Sequence, residues 1–207
     1  MIPYASRTGG KRNLDALRAN GFRLLIVASG VQRDEGWNQY ALDNGAWAYH
    51  QRGEPFDEAR FRALVEKFGS GADWCVLPDI IAGGVESLAL SLTWTDWVLA
   101  RCKRVLIAVQ DGMEMHHVEH LIGERVGVFV GGSTDWKLAT LAMWGSLAPR
   151  CWVHVGRVNS VKRIRMCAMA GAHSFDGTSA SVFSVTAKKL GHAARQDVLP
   201  LRAHQGG

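Results

Sequence analysis

Short continuous apolar runs, separated by segments of helical period, constrain this chain more than any other feature. Seven such runs recur: Arg23–Ser29, Tyr40–Asp43, Trp74–Asp79, Val105–Gln110, Val126–Val130, Trp152–Gly156 and His173–Asp176. Several show no polar alternation, as expected of parallel strands covered by helices on one side and packed on the other. Between most of them lie helical patterns. Asp57 is placed to cap a helix whose inner face is Phe61, Leu64, Val65 and Phe68. A second face reads Val85, Leu88, Leu92 and Leu99. A third reads Trp136, Ala139, Met143 and Leu147 behind cap candidates at 133–135, and Ser160 opens a fourth with Val161, Ile164 and Ala168.

Strand and helix therefore alternate, which gives an α/β class with a parallel sheet. An open doubly wound sheet and a closed barrel share this order. The barrel is favoured, because seven or eight units recur and no dinucleotide-type glycine fingerprint follows the first run. The expectation is a compact TIM-type (β/α) barrel in a single domain over residues 1–207. Its eighth strand is unrecognised or missing, with Val198–Leu201 as a weak candidate. Residues 33–39 read as a loop, and residues from about 192 to 207 as a flexible tail.

Hydrophobic residues make up 47% and charged residues 21% of the chain, the balance of a folded protein with a sizeable core. The N-terminal segment has no apolar core of the signal-peptide kind, and no stretch reaches membrane-span length. A cytoplasmic location with no membrane partner is expected. None of the four cysteines stands in a C-x-x-C pair, and Cys75 and Cys151 lie in apolar runs as small core residues. His116, His117 and His120 lack the carboxylate of a zinc-protease helix, so no metal site is assigned. A net charge of +5 suits a polyanionic partner.

The residues that end the runs carry the chemistry. They are Asp43-Asn44-Gly45, Pro78-Asp79, Gln110-Asp111-Gly112, Gly131-Gly132-Ser133, Gly156-Arg157 and Asp176-Gly177-Thr178-Ser179. Each also suits a turn or helix cap. In a barrel, however, all of them converge on one mouth.

As an ordered series they resemble the tRNA-guanine transglycosylases. Asp43-Asn44-Gly45-Ala46-Trp47 resembles that family's Asp-Ser-Gly-Gly-Phe, and Leu77-Pro78-Asp79 its next strand-end aspartate. Val109-Gln110-Asp111-Gly112 is similar to Val-Gln-Gly-Gly, and Val130-Gly131-Gly132-Ser133 to Ile-Gly-Gly-Leu. His154-Val155-Gly156 is similar to Met-Gly-Val-Gly, and Ser174–Ser179 stands where the family has its nucleophile. The tRNA enzymes carry a Cys-x-Cys-x-x-Cys and His zinc site after the nucleophile. Residues 177–207 contain no cysteine, so the zinc subdomain is expected to be lacking. In this the chain resembles the short phage-type DNA deazaguanine transglycosylases.

The resemblance implies replacement of guanine in DNA by a free 7-deazaguanine base of the preQ0 type. Asp176 would be the nucleophile and Asp43 the proton relay. Asp79, Gln110, Gly131, Gly132, Asn44 and Trp47 would bind the base, the last by stacking. Ser133, Lys137 and Arg157 would contact phosphate. The exchange is nearly isoenergetic and implies no cofactor. Alternatives are the same exchange on tRNA, a hydrolytic N-glycosidase, and a non-catalytic nucleic-acid-binding barrel. Oligomeric state stays open, a homodimer included.

Overall fold

The computed structural model describes residues 1–7, 10–182 and 184–196. Its elements, in chain order, are β1 (Ile2–Ser6), α1 (Lys11–Ala19), β2 (Arg23–Val27), β3 (Tyr40–Asp43), α2 (Ala46–Arg52) and α3 (Glu58–Phe68). Next come β4 (Cys75–Val76), α4 (Gly84–Leu99), β5 (Val105–Val109), β6 (Val126–Val130), α5 (Thr134–Gly145) and β7 (Val153–Val155). The chain continues through α6 (Val161–Met169), β8 (Ser174–Asp176), α7 (Thr178–Val182) and α8 (Ser184–Arg195). All eight strands are parallel and close into a barrel in sequence order.

All seven apolar runs contain strands. The eighth is β1, not Val198–Leu201, which lies outside the described residues. It closes the barrel by pairing Tyr4 with both Arg23 and Asp176. Pro3 lacks a backbone donor and masks so short a strand in the sequence. The chain fits a barrel into this length because two crossovers lack a full helix. Residues 28–39 join β2 to β3 as loop, and only a 3-10 turn at Met115–His117 lies between β5 and β6. His116 and His120 therefore share no α-helical face.

Two apolar layers arise from the two faces of each strand. One fills the barrel: Tyr4, Leu25, Ala41, Trp74, Val76, Leu106 and Ala108, with Ile2, Phe129 and Trp152 packed on them. Large rings face small residues there, so the interior is filled. The larger layer lies between strands and helices. In α3 the expected face is buried, and Asp57 caps it by accepting from the Arg60 N–H at 2.9 Å.

Two helices turn differently from the apolar pattern. In α4 the buried positions are Ser87, Leu88, Ser91, Trp94 and Val98, while Val85 and Leu92 are exposed. The serines face inward because they serve backbone groups after β4. Ser91 Oγ donates to the Pro78 carbonyl at 2.8 Å, and Ser87 Oγ accepts from the Ile80 N–H at 3.0 Å. In α5 the buried positions are Lys137, Leu141, Trp144 and Gly145. The expected Ala139 faces solvent. Residues 192–195, expected in a flexible tail, belong to α8, and Arg195 Nη1 donates to the Asn20 carbonyl at 2.6 Å. The rest of that expected tail, from residue 197, lies outside the described residues. No described helix is long and apolar enough to cross a membrane.

The N-terminal end of the barrel is closed by polar pairing. Asp73 accepts from the Tyr4 hydroxyl at 2.7 Å and from Arg23 Nη1 at 3.0 Å.

Candidate active site

Side chains alternate in and out along a strand, and Ala41, Ala108 and Phe129 point into the barrel. The same parity aims the residues two places further along each strand toward the barrel axis. These are Asp43, Gln110 and Gly131, at the C-terminal ends where barrel enzymes keep their chemistry. Likewise Trp152 and His154 lead to Gly156, and Ser174 leads to Asp176.

Asp176 is 8% exposed and held on both carboxyl oxygens. The Arg157 backbone N–H reaches Oδ1 at 2.9 Å, and His154 Nε2 lies 3.1 Å from Oδ2. The Val158 N–H also ties the Asp176 carbonyl at 2.6 Å. Arg157 adopts φ +58, a left-handed conformation that costs a non-glycine residue roughly 1 kcal/mol. That conformation accompanies an N–H aimed at the carboxylate.

Asp43 meets a different environment. Among the described residues its Oδ1 accepts the Gly45 N–H alone, at 2.6 Å. Gly45 sits at φ +78, and a Cβ there would lie 2.9 Å from the Ser29 nitrogen, so glycine is required at this turn. Burial pushes Asp43 up to about 7 against the Gly45 bond, and the nearby charges of Asp176 and Asp79 add to the rise. Asp43 and Asp176 are thus within electrostatic reach across one mouth. Burial also raises Asp79 to about 6, opposed by the Asn44 amide.

The remaining expected residues divide into those at the mouth and those tied up in structure. Asn44 is spent on the scaffold: its Nδ2 donates to the Leu77 carbonyl at 2.6 Å and to Asp79 Oδ1 at 2.8 Å, and its Oδ1 accepts from the Ala46 N–H. It orients Asp79. Gln110 is buried and donates from Nε2 to the Ile80 carbonyl at 2.8 Å. The Gly131 N–H is taken by the Val109 carbonyl at 2.9 Å. Gly132, at φ +70, is packed so closely that a Cβ would sit 2.5 Å from Asp111 Oδ2.

Of the three expected phosphate contacts, two are engaged away from the rim. Ser133 caps α5 and gives both its N–H and its hydroxyl to Asp111, at 2.6 and 2.5 Å. Lys137 is 6% exposed with its amine on the Gly156 carbonyl, and burial, helped by the charge of Arg157, lowers it to about 8. Arg157 is the one at the rim. Its guanidinium donates to the Gly132 carbonyl and lies 4.3 Å from the centroid of Trp47, which is 41% exposed.

Sequence reasoning misses His154, Ser174 and Trp152. His154 is fully buried among Tyr4, Trp74 and Phe129, and burial lowers its pKa against the pull of Asp176. The signal that could find it is strand parity, which places 154 on the face leading to the mouth. A depression of about 500 Å³ between α5 and α6 is lined by Leu138, Asn159, Ser160, Lys162, Arg163 and Met166 and does not include the mouth carboxylates. Among the described residues no cluster of three or more His, Cys, Asp or Glu could hold a metal ion.

A solved structure described as "Native KDPGal structure" matches with a TM-score of 0.54 at 12% identity, covering 94% of this chain and 92% of that one. The likeness establishes the fold. At that identity it carries nothing about the reaction, which the barrel leaves to the residues at its mouth. No family model matches the chain, and no curated protein matches it.

Proposed function

We propose that this chain exchanges guanine in DNA for a 7-deazaguanine through a covalent aspartyl-sugar intermediate. The observation that supports it is the pairing of two mouth carboxyls in different environments: Asp176 held by the Arg157 N–H and the His154 ring, and Asp43 pushed up to about 7. A carboxyl held in place by its neighbours, facing one raised by burial, suits a nucleophile and its acid–base partner. Asp176 attacks C1′ as the C1′–N9 bond to guanine breaks, and the Asp43 carboxyl gives its proton to the departing base. The incoming base then loses its N9 proton to Asp43 as N9 bonds to C1′ and the Asp176–sugar bond breaks. Two displacements retain the sugar face, by the logic of a retaining glycosidase. Asp79, oriented by Asn44, would accept from the N1–H and amino edge of the base. Trp47 and Arg157 would meet the flipped nucleotide at the rim.

The test is uptake of radiolabelled guanine into DNA and into tRNA. Label in DNA that disappears in Asp176→Asn, with the variant still folded, is the expected result. Label in tRNA alone would move the substrate to tRNA. Free guanine with an abasic site would make the protein a hydrolase.

A further inference from the structure

We propose that His154 is a positioning residue for Asp176: a neutral imidazole carrying its proton on Nε2, set in that tautomer by the carboxylate and matched from inside the barrel by the Ser174 hydroxyl, which Trp152 holds. The proposal deepens the base-exchange reading, but its structural half stands independently.

The chain of contacts runs through three strand segments. Trp152 Nε1 lies 2.9 Å from Ser174 Oγ, Ser174 Oγ lies 2.8 Å from His154 Nδ1, and His154 Nε2 lies 3.1 Å from Asp176 Oδ2. An indole N–H only donates, so Ser174 Oγ accepts from Trp152. An ionised carboxylate only accepts, so His154 must donate from Nε2. A neutral ring then has an acceptor at Nδ1, and the Ser174 hydroxyl proton fills it. Every polar atom in the series then has a partner, and burial among aromatic rings disfavours the charged ring. Asp176 thereby has one donor on each oxygen, with a lone pair left on each for a sugar carbon.

Replacing the carboxylate makes the assignment testable. In Asp176→Asn the Arg157 N–H demands the amide oxygen at the Oδ1 position, which turns the amide N–H₂ toward His154. Nε2 must then accept, and the proton moves to Nδ1, where Ser174 Oγ accepts it.

Nitrogen NMR on ¹⁵N-histidine-labelled protein reads this directly. The expected wild-type result at about pH 7 is a pyridine-like signal from Nδ1, moving to Nε2 in Asp176→Asn. A wild-type ring with the pyridine-like signal on Nε2, a doubly protonated ring, or an unchanged tautomer in Asp176→Asn would overturn the proposal. Exchange kinetics supply the second arm. His154→Phe, which keeps a ring but no donor, should lower kcat about a hundredfold with KM for DNA held. His154→Gln, which returns an N–H at similar reach, should restore most of it. A loss carried in KM, or equal losses in both variants, would reject the positioning role. Absence of exchange in the wild type refutes the base-exchange reading while the tautomer result stands or falls separately.

Discussion

Replacing Asp43 by asparagine should make the protein less sensitive to rising pH. Asparagine is close in size and its Oδ1 still accepts the Gly45 N–H. In the wild type the folded carboxyl titrates at about 7, against an ordinary value of 3.8. The folded state therefore holds this proton more tightly than the unfolded chain. Stability is greatest below the unfolded value, falls as pH rises toward about 7, and is flat above. Between about pH 5 and pH 8 the loss spans two pH units at ~1.4 kcal/mol each, a ceiling of about 2.7 kcal/mol. Solvent reaches the mouth side of Asp43, and screening reduces this to roughly 1–2 kcal/mol. For a chain of this length that corresponds to roughly 2–8 °C in Tm. Calorimetry of wild type and Asp43→Asn at the two pH values gives a double difference in which remote titrations cancel. The variant should gain on the wild type by that amount at the higher pH. Parallel Tm curves would show that Asp43 is not held protonated and remove the argument for its role as acid.

Gly145→Ala should destabilise the protein by about 2–3 kcal/mol, because a Cβ there would stand 1.9 Å from the Ala170 carbonyl oxygen where α5 meets the end of α6; denaturant unfolding checks it, and a change below about 0.5 kcal/mol would mean the two helices give way freely. Arg157→Ala should weaken DNA binding and flatten its salt dependence by about one unit of slope, whereas Lys137→Met should leave that slope unchanged, since its amine is buried on Gly156. Equal salt slopes for the two variants would reverse those assignments.

The sequence exposes the barrel because its strands are continuous apolar runs, and it exposes the mouth because turn residues end them in order. What it hides has a common cause. Apolar counting cannot see a polar residue whose partner comes from another segment of the chain. Ser87 and Ser91 face inward because Ile80 and Pro78 offer backbone groups there. Lys137 does so because the Gly156 carbonyl takes its amine. His154, between two valines, reads as ordinary core until Ser174 and Asp176 are placed beside it. Ser133 reads as a phosphate ligand until Asp111, from the preceding strand end, occupies both its donors. Strand β1 is hidden by Pro3.

The two ends of the barrel treat acidic residues in opposite ways, and the contrast bears on function. At the N-terminal end Asp73 is matched by Arg23 and the Tyr4 hydroxyl. At the C-terminal end Asp43 and Asp79 have no ion-pair partner among the described residues, and both are raised by burial. A turn needs no such arrangement, since an exposed aspartate or an asparagine makes the same backbone bonds without desolvation. Near pH 7 carboxyls raised to these values exchange protons readily, and Asp43 can donate or accept with little change of surroundings. On the proposed reading such a pair would meet a purine-like base, whose edge carries N–H donors and a ring nitrogen that gains and loses a proton as the glycosidic bond breaks and reforms. The destabilised end of the barrel is therefore where the proposed chemistry would sit.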